Sequence, residues 1–235
     1  MLKGLIENSS LVQESILSSR LLYDLRIAAG RAGYFLQAFQ PDPDIGGFDV
    51  ILDDGEKFRK IQLKSVRADA TTSRWKIHLR HLKPDPATAD RMGLIQIHPW
   101  IGVLGGTIIT EYQVQASSLD VKYHYTDSLI IYAISRGVLA SKTANEPKIA
   151  ENLWARLSSL SGDKYLWVPR SLFVPAVDCR HLLALMGLKS TRPYTWDMDL
   201  LTLAEIESGR KTDPKVSMHI DSFRKNVSNS IERGN

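Results

Sequence analysis

Two short apolar-rich runs, Gly47 to Asp53 and Lys57 to Val66, stand on either side of Asp54-Gly55, and this arrangement constrains the chain more than any other feature in it. Asp-Gly suits the positive φ values of a tight turn, so the runs are expected to fold back on one another as an antiparallel hairpin. With Asp54-Gly55 as a two-residue turn, residues whose numbers sum to 109 face each other, and Asp49 lies opposite Lys60. Side chains alternate along a strand. Asp49, Lys60, Gln62 and Lys64 then project from one side and Phe48, Val50, Ile61 and Leu63 from the other. A carboxylate, an amide and an ammonium converge on one face, and only an even-length turn preserves that convergence.

Upstream, Ser9 or Ser10 followed by Gln13 resembles a capping box, and Leu17, Leu21, Leu25, Ala28 and Ala32 recur at spacings of three and four. The spacing predicts a helix over residues 10–32, closed by Gly33. Tyr34 to Phe39 reads as a strand. Downstream, Trp75 to Leu82 reads as a strand, Asp127 to Ser135 as a buried strand, Pro147 to Leu160 as an amphipathic helix, and Asp178 to Met186 as a short helix. Tyr165 to Val174 gives one or two strands broken by Pro169, while Leu94 to Thr110 is Gly-rich, apolar and ambiguous. Residues 1–204 are expected to form one domain, followed by a polar surface helix or tail over 205–235.

The chain has 235 residues, 43% of them apolar, enough to bury a core without disulfides or a structural metal. Cys179 is the lone cysteine, and Met1 to Ser10 has no basic segment leading into an apolar one, which together read as cytoplasmic. The most apolar window, Leu94 to Ile109, is broken by His98, Pro99 and three glycines, so no membrane span is expected. Charge is unevenly distributed. Between Gly55 and Lys83 nine basic residues (Lys57, Arg59, Lys60, Lys64, Arg67, Arg74, Lys76, Arg80, Lys83) meet only Glu56 and Asp69, a local +7 in a chain of total +4. The rest of the chain is mildly acidic, and a basic block of this kind points to a polyanion such as DNA, because Lys and Arg opposite phosphates release condensed counterions.

Within the opening helix Asp24 falls along the edge of the inward stripe, where a carboxylate is expensive unless paired or bound to a metal. Glu14 lies on that stripe too, but near the helix start, where the macrodipole favours negative charge. The structural alternatives are an Asp49–Lys64 ion pair and a salt bridge from Asp24 to Arg20 or Arg31. His78-x2-His81 would place its rings on opposite faces of a strand and has no cysteine nearby, so zinc is not expected. The five tryptophans, at 75, 100, 154, 167 and 196, read mainly as core. No P-loop, dinucleotide fingerprint or G-x-S-x-G is present.

An acidic residue on an opening helix, then Asp44-Ile45-Gly46-Gly47-Phe48-Asp49, a turn, and Ile61-Gln62-Leu63-Lys64-Ser65 resembles the PD-(D/E)XK nuclease superfamily. The closer likeness, covering residues 10–66, is to the variant with Gln in the second acidic position, as in Mrr-like restriction nucleases. The resemblance implies an α/β restriction-endonuclease-like fold, a mixed central sheet flanked by helices. It implies a Mg2+-dependent deoxyribonuclease, with Mn2+ as a substitute ion, acting in restriction or phage defence. Asp49, Gln62 and the Leu63 carbonyl would be metal ligands, Asp24 or Glu14 a second carboxylate, and Lys64 the residue that orients the attacking water. Lys60, Arg67, Arg74, Lys76 and Arg80 would contact DNA. Cutting both strands needs two sites or two events, which admits a homodimer, and an additional defence-system subunit is a further expected partner. The rival from another class is a nuclease-like fold that binds nucleic acid or a partner without cutting.

Overall fold

The Ser9 hydroxyl accepts the Val12 N–H at 3.4 Å and opens helix α1 (Ser10–Arg31), which ends where Gly33 takes a φ of +85°. Gln13 does not reach back to complete a capping box; its Nε2 donates to Ser65 Oγ at 3.1 Å and ties the helix to the sheet. The stripe of Leu17, Leu21, Leu25, Ala28 and Ala29 is buried, as its spacing requires. The computed structural model describes residues 9–41, 47–92, 94, 102–103, 105–115, 118–140, 143–157, 164–188, 195–211 and 219–233.

Strands β1 (Gln37–Phe39), β2 (Val50–Asp53) and β3 (Phe58–Arg67) are followed by β4 (Arg74–His78) and the short helices α2 (Leu79–Leu82) and α3 (Pro86–Arg91). Then come β5 (Gly105–Val114), β6 (Leu119–Thr126), α4 (Ser128–Ser135), α5 (Glu146–Leu157), β7 (Tyr165–Pro169), a 3-10 turn (Arg170–Leu172) and β8 (Val174–Pro175). Helices α6 (Cys179–Leu185), α7 (Trp196–Glu207) and α8 (Ile220–Arg233) complete the described elements. One mixed sheet has the order β1-β2-β3-β5-β6-β8, parallel at β3–β5 and antiparallel elsewhere; β4 and β7 form a separate antiparallel ribbon. The molecule is α/β, with a central mixed sheet flanked by helices.

Alternation divides the sheet into two faces. Val50, Leu52, Ile61, Ile108, Tyr123 and Tyr125 share a helix face with Leu21 and Leu25 of α1 and Leu182 of α6 in one core. On the same face Leu17 packs against Tyr112. Gly106 sits under the Tyr125 ring, and a Cβ there would meet ring carbon Cε2 at 2.6 Å, which explains one glycine of the ambiguous stretch. The opposite face meets the ribbon through Gln62 and His78.

Arg59 carries a charge into this core. Only 4% exposed, its Nε donates to the Met186 carbonyl at the end of α6 at 2.5 Å, and its Nη2 lies 3.8 Å from Asp197 Oδ2 on α7. Asp127, fully buried beside it, accepts from Ile130 N at 2.9 Å and from the Tyr125 hydroxyl at 3.0 Å, capping α4. Burial pushes the Asp127 carboxyl up from its usual range, with the Arg59 charge the first influence against that shift.

Several expectations are corrected. Asp127 to Ser135 is a helix, not a strand: Asp127 caps it, and Ser128 to Ile134 are buried all round, so no polar stripe marks the helical period. The strand expected through Leu82 stops at His78, where the His78 Nδ1 accepts the Arg80 N–H at 3.2 Å and starts α2. The expected two-residue hairpin turn holds four residues. The boundary expected at 204 falls inside α7, and α8 buries Val227 and Ile231 completely. His181 on α6 holds α8 in place, accepting Val177 N–H at Nδ1 (3.0 Å) and donating from Nε2 to the Ile231 carbonyl (2.8 Å).

Two outcomes follow. Arg59→Met leaves the buried Asp127 without the cation beside it and Asp197 with Lys57 alone, and is expected to cost about 3–5 kcal/mol in urea unfolding; a loss below about 1 kcal/mol would remove Arg59 from that role. Burial lowers the His181 pKa from its ordinary 6.5. The unfolded chain then takes up the proton first, so this stability is present above about pH 6.5 and is lost as pH falls through the folded-state pKa. Urea midpoints from pH 7.5 to 5 should fall in the native protein and fall less in His181→Asn.

Candidate functional site

Four residues, Asp54 to Lys57, join β2 to β3 because aspartate side chains close the loop from within. Asp54 N donates to the Lys57 carbonyl at 3.1 Å, Asp53 Oδ1 accepts from Gly55 N at 2.8 Å, and Asp54 Oδ1 accepts from Glu56 N at 3.0 Å and Lys57 N at 2.8 Å. Gly55 supplies the positive φ of +89°. Val50 faces Ile61 and Asp53 faces Phe58, a register two residues away from that of a two-residue turn. A shift of two leaves every side chain on its side. Asp49 is carried past Lys60 to lie beside Gln62, its N–H on the Ile61 carbonyl at 2.9 Å, and Asp49, Lys60, Gln62 and Lys64 still share one face.

The site lies where β2 begins and β3 runs on past it, pairing with β5 through Arg67. Asp49 is exposed, and its Oδ2 accepts the Leu63 N–H at 2.5 Å. A strand residue directs its N–H and C=O to the same side, so the Leu63 carbonyl also faces the Asp49 side. Gln62 is 8% exposed, and its Oε1 accepts the His78 N–H at 3.3 Å. Half-buried Lys64 lies in a sheet row with Ile109 and His124.

The helix carboxylate stands elsewhere. Asp24 accepts from Arg20 Nε at 2.8 Å and from the Tyr123 hydroxyl at 2.8 Å. Tyr123 pairs with Thr110, and Thr110 with Ser65, so Asp24 is on the helix face and Gln62 and Lys64 are on the ribbon face. The structure thus separates Asp24 from the other three and realises the salt bridge to Arg20. Burial first, then the Asp24 and Asp178 charges, push the neighbouring Cys179 thiol up to about 11. Glu14 is exposed on the same helix, which packs on the helix face. A carboxylate that sequence reading missed is Glu111, on the ribbon face one step beyond Lys64: its Oε2 accepts from Arg170 Nη2 and lies 3.0 Å from His124 Nε2. The signal was weak, because the extension of β5 past Thr110 and the whole of β6 were not assigned.

Among the described residues no three His, Cys, Asp or Glu side chains gather as a metal group. Asp49, the Leu63 carbonyl and Gln62 Oε1, which keeps a second lone pair, offer oxygen donors only, a set that suits a hard cation such as Mg2+ retaining several waters. It carries a single formal charge.

The basic block divides. Lys57 and Arg59 face Asp197, at 3.5 and 3.8 Å, and Arg67 pairs with Asp69 at 2.9 Å. Lys60 lies over the Phe48 ring, Arg74 over Trp167 and Lys76 over Tyr165, while Arg80 is half-buried at the start of α2. Trp75, Trp154 and Trp196 are buried, Trp167 is exposed, and Trp100 and Asp44 lie outside the described residues. The end of β4 at His78 brings the His78 and His81 rings to 5.9 Å, against the expectation of opposite faces. No helix among the described residues is long and apolar enough to cross a membrane. Comparison of the chain with protein-family models, with curated proteins and with solved structures finds no match.

Asp49→Asn removes the only formal charge among these donors. Titration calorimetry with Mg2+ or Mn2+ should show affinity falling by roughly tenfold or more, the scale attached to losing even an outer partner of a bound metal; unchanged affinity would place the ligand elsewhere.

Proposed function

We propose that this chain is a Mg2+-dependent DNA endonuclease of the PD-(D/E)XK type, with Asp49, Gln62, the Leu63 carbonyl and Lys64 as its site. The observation that carries this reading is the co-facial placement of those side chains where β2 begins and β3 runs on past it, with Asp49 anchored on the Leu63 N–H. A bound Mg2+ supplies neutralisation of the charge that develops on the phosphate and lowers the pKa of a coordinated water. The chain's own residues do the rest. Asp49, Gln62 and Leu63 present oxygens to the ion, and the Lys64 ammonium orients the attacking water and donates to the phosphoryl oxygens as they gain charge. By accepting the His78 backbone N–H, the Gln62 amide oxygen is held in one orientation. The resemblance extends the proposal to restriction or phage defence, in a cytoplasmic setting, as a homodimer or with an additional defence-system subunit.

One observation favours a second reading, a nuclease-like module that binds nucleic acid without cutting. Among the described residues the proposed donor set holds a single carboxylate, since Asp24 is engaged by Arg20 and Tyr123 across the sheet.

Supercoiled plasmid and short single-stranded DNA incubated with the protein in Mg2+, Mn2+ or EDTA separate the two. Metal-dependent cleavage that falls by at least about 100-fold in Lys64→Ala, with DNA binding retained, is the expected result. Full activity in that variant would overturn the assignment of Lys64, and absence of cleavage of both substrates with either metal would favour the binding module.

A further inference from the structure

The β4–β7 ribbon has two unlike faces. Arg74 pairs with Pro169, Lys76 with Trp167 and His78 with Tyr165, so Trp75, Ile77, Leu166 and Val168 form one face, all buried in the core. The other face presents Arg74, Lys76, Tyr165 and Trp167. Trp167 is 53% exposed and Tyr165 38%. Each ring has a cation over it: the Arg74 guanidinium at 4.9 Å from the Trp167 centroid, Lys76 Nζ at 4.8 Å and Lys164 Nζ at 5.5 Å from that of Tyr165. Neither ribbon strand, nor the described residues that adjoin them from Ala70 to Ser73 and at Lys164 and Arg170, includes an acidic residue.

We propose that this ribbon face binds single-stranded DNA, with Trp167 and Tyr165 stacking on unpaired bases and Arg74, Lys76 and Lys164 meeting the phosphates. The inference rests on the nuclease reading and deepens it by naming the form of the substrate. Two large flat rings half in water are what a base offers a partner for, and every base has such a face. The cations already over the rings do not block this. A cation over an exposed ring is worth about two- to fivefold in an equilibrium constant, and a stacked base about five- to a hundredfold. A base that displaces the cation therefore gains, and the freed Arg or Lys turns to the phosphate beside that base. Tyr165 and Trp167, two residues apart on one strand, stand roughly 7 Å from each other, so successive bases can each take one ring.

Duplex DNA fits this face less well. Its bases are stacked on one another and offer only edges, so neither Trp167 nor Tyr165 can lay its ring on a base there. The ribbon also leads to the candidate site, since β4 ends at His78, whose N–H is held by Gln62 Oε1 and whose ring meets Tyr165 at 5.2 Å. A strand laid over Trp167 and then Tyr165 arrives beside Gln62.

The test measures binding in EDTA, where cleavage plays no part, by fluorescence anisotropy of three labelled probes of equal length: a mixed-sequence single strand, the same strand with abasic residues, and the duplex. The full chain should prefer the single strand to both others, and Trp167→Ala should weaken single-strand binding by about 5- to 100-fold while leaving weak duplex binding unchanged. Trp167→Phe should recover most of the affinity, and quenching of tryptophan emission by the single strand should shrink in that variant. Equal affinity for the three probes, tighter binding of duplex, or unaltered single-strand binding by Trp167→Ala would overturn the stacking assignment. The nuclease reading is judged apart from this, by Mg2+-dependent cleavage of plasmid and of the same single strand, compared between the full chain and Lys64→Ala: a chain that stacks on single strands and cuts neither substrate keeps this proposal and loses that one.

Discussion

Burying the Arg59 guanidinium decides how the rest of the chain is read out on the sheet. Its partners, Met186 at the end of α6 and Asp197 on α7, lie on the helix face, so Arg59 has to point there. Strict alternation then places Ile61 and Leu63 on the same face and turns Lys60, Gln62 and Lys64 to the other. A slip of one residue along β3 would set Lys60 against Asp197, expose Ile61 and drive Gln62 into apolar surroundings. Apolar patterning alone resists such a slip; a desolvated charge with fixed partners resists it far more strongly, because an unpaired charge in that position is very costly. The candidate site is thus held in register by an interaction on the far side of the sheet.

Parity, more than register, was legible in the amino-acid sequence. Asp54-Gly55 announced a hairpin, and its aspartates lengthened the loop to four residues by accepting N–H groups that a two-residue turn would have left to the strands. An even change preserves faces, so Asp49, Gln62 and Lys64 stayed together although Asp49 acquired a different neighbour. Helix α1 was legible from its spacing and its cap, whereas α4 was not, because seven buried residues in a row give a buried helix and a buried strand the same appearance. Asp24 was recognised as a carboxylate needing a partner; which face of a sheet a helix covers is a tertiary fact, and that fact gave Asp24 to Arg20 and Tyr123. Helix α8 shows the same limit: fully buried Val227 and Ile231, with half-buried Ile220 and Phe223, dock a polar helix whose end a His181 hydrogen bond fixes.

The basic block shows why counting charges along a chain overstates a polyanion surface. Nine cations and two acids between Gly55 and Lys83 look like one patch, yet Lys57 and Arg59 are turned toward Asp197, which lies well over a hundred residues further along. Arg67 is turned to Asp69. The cations that remain on the ribbon differ in kind, because their nearest neighbours are aromatic rings, with no carboxylate on either strand. Withdrawing the buried Arg59 would strip a buried carboxylate of its cation, which is costly. The exposed Arg67–Asp69 pair and a cation over an exposed ring each give up only about 1 kcal/mol or less. Availability for a nucleic acid therefore follows from what each cation already touches and how deeply it is buried, and by that measure Arg74 and Lys76 stand ahead of Arg59.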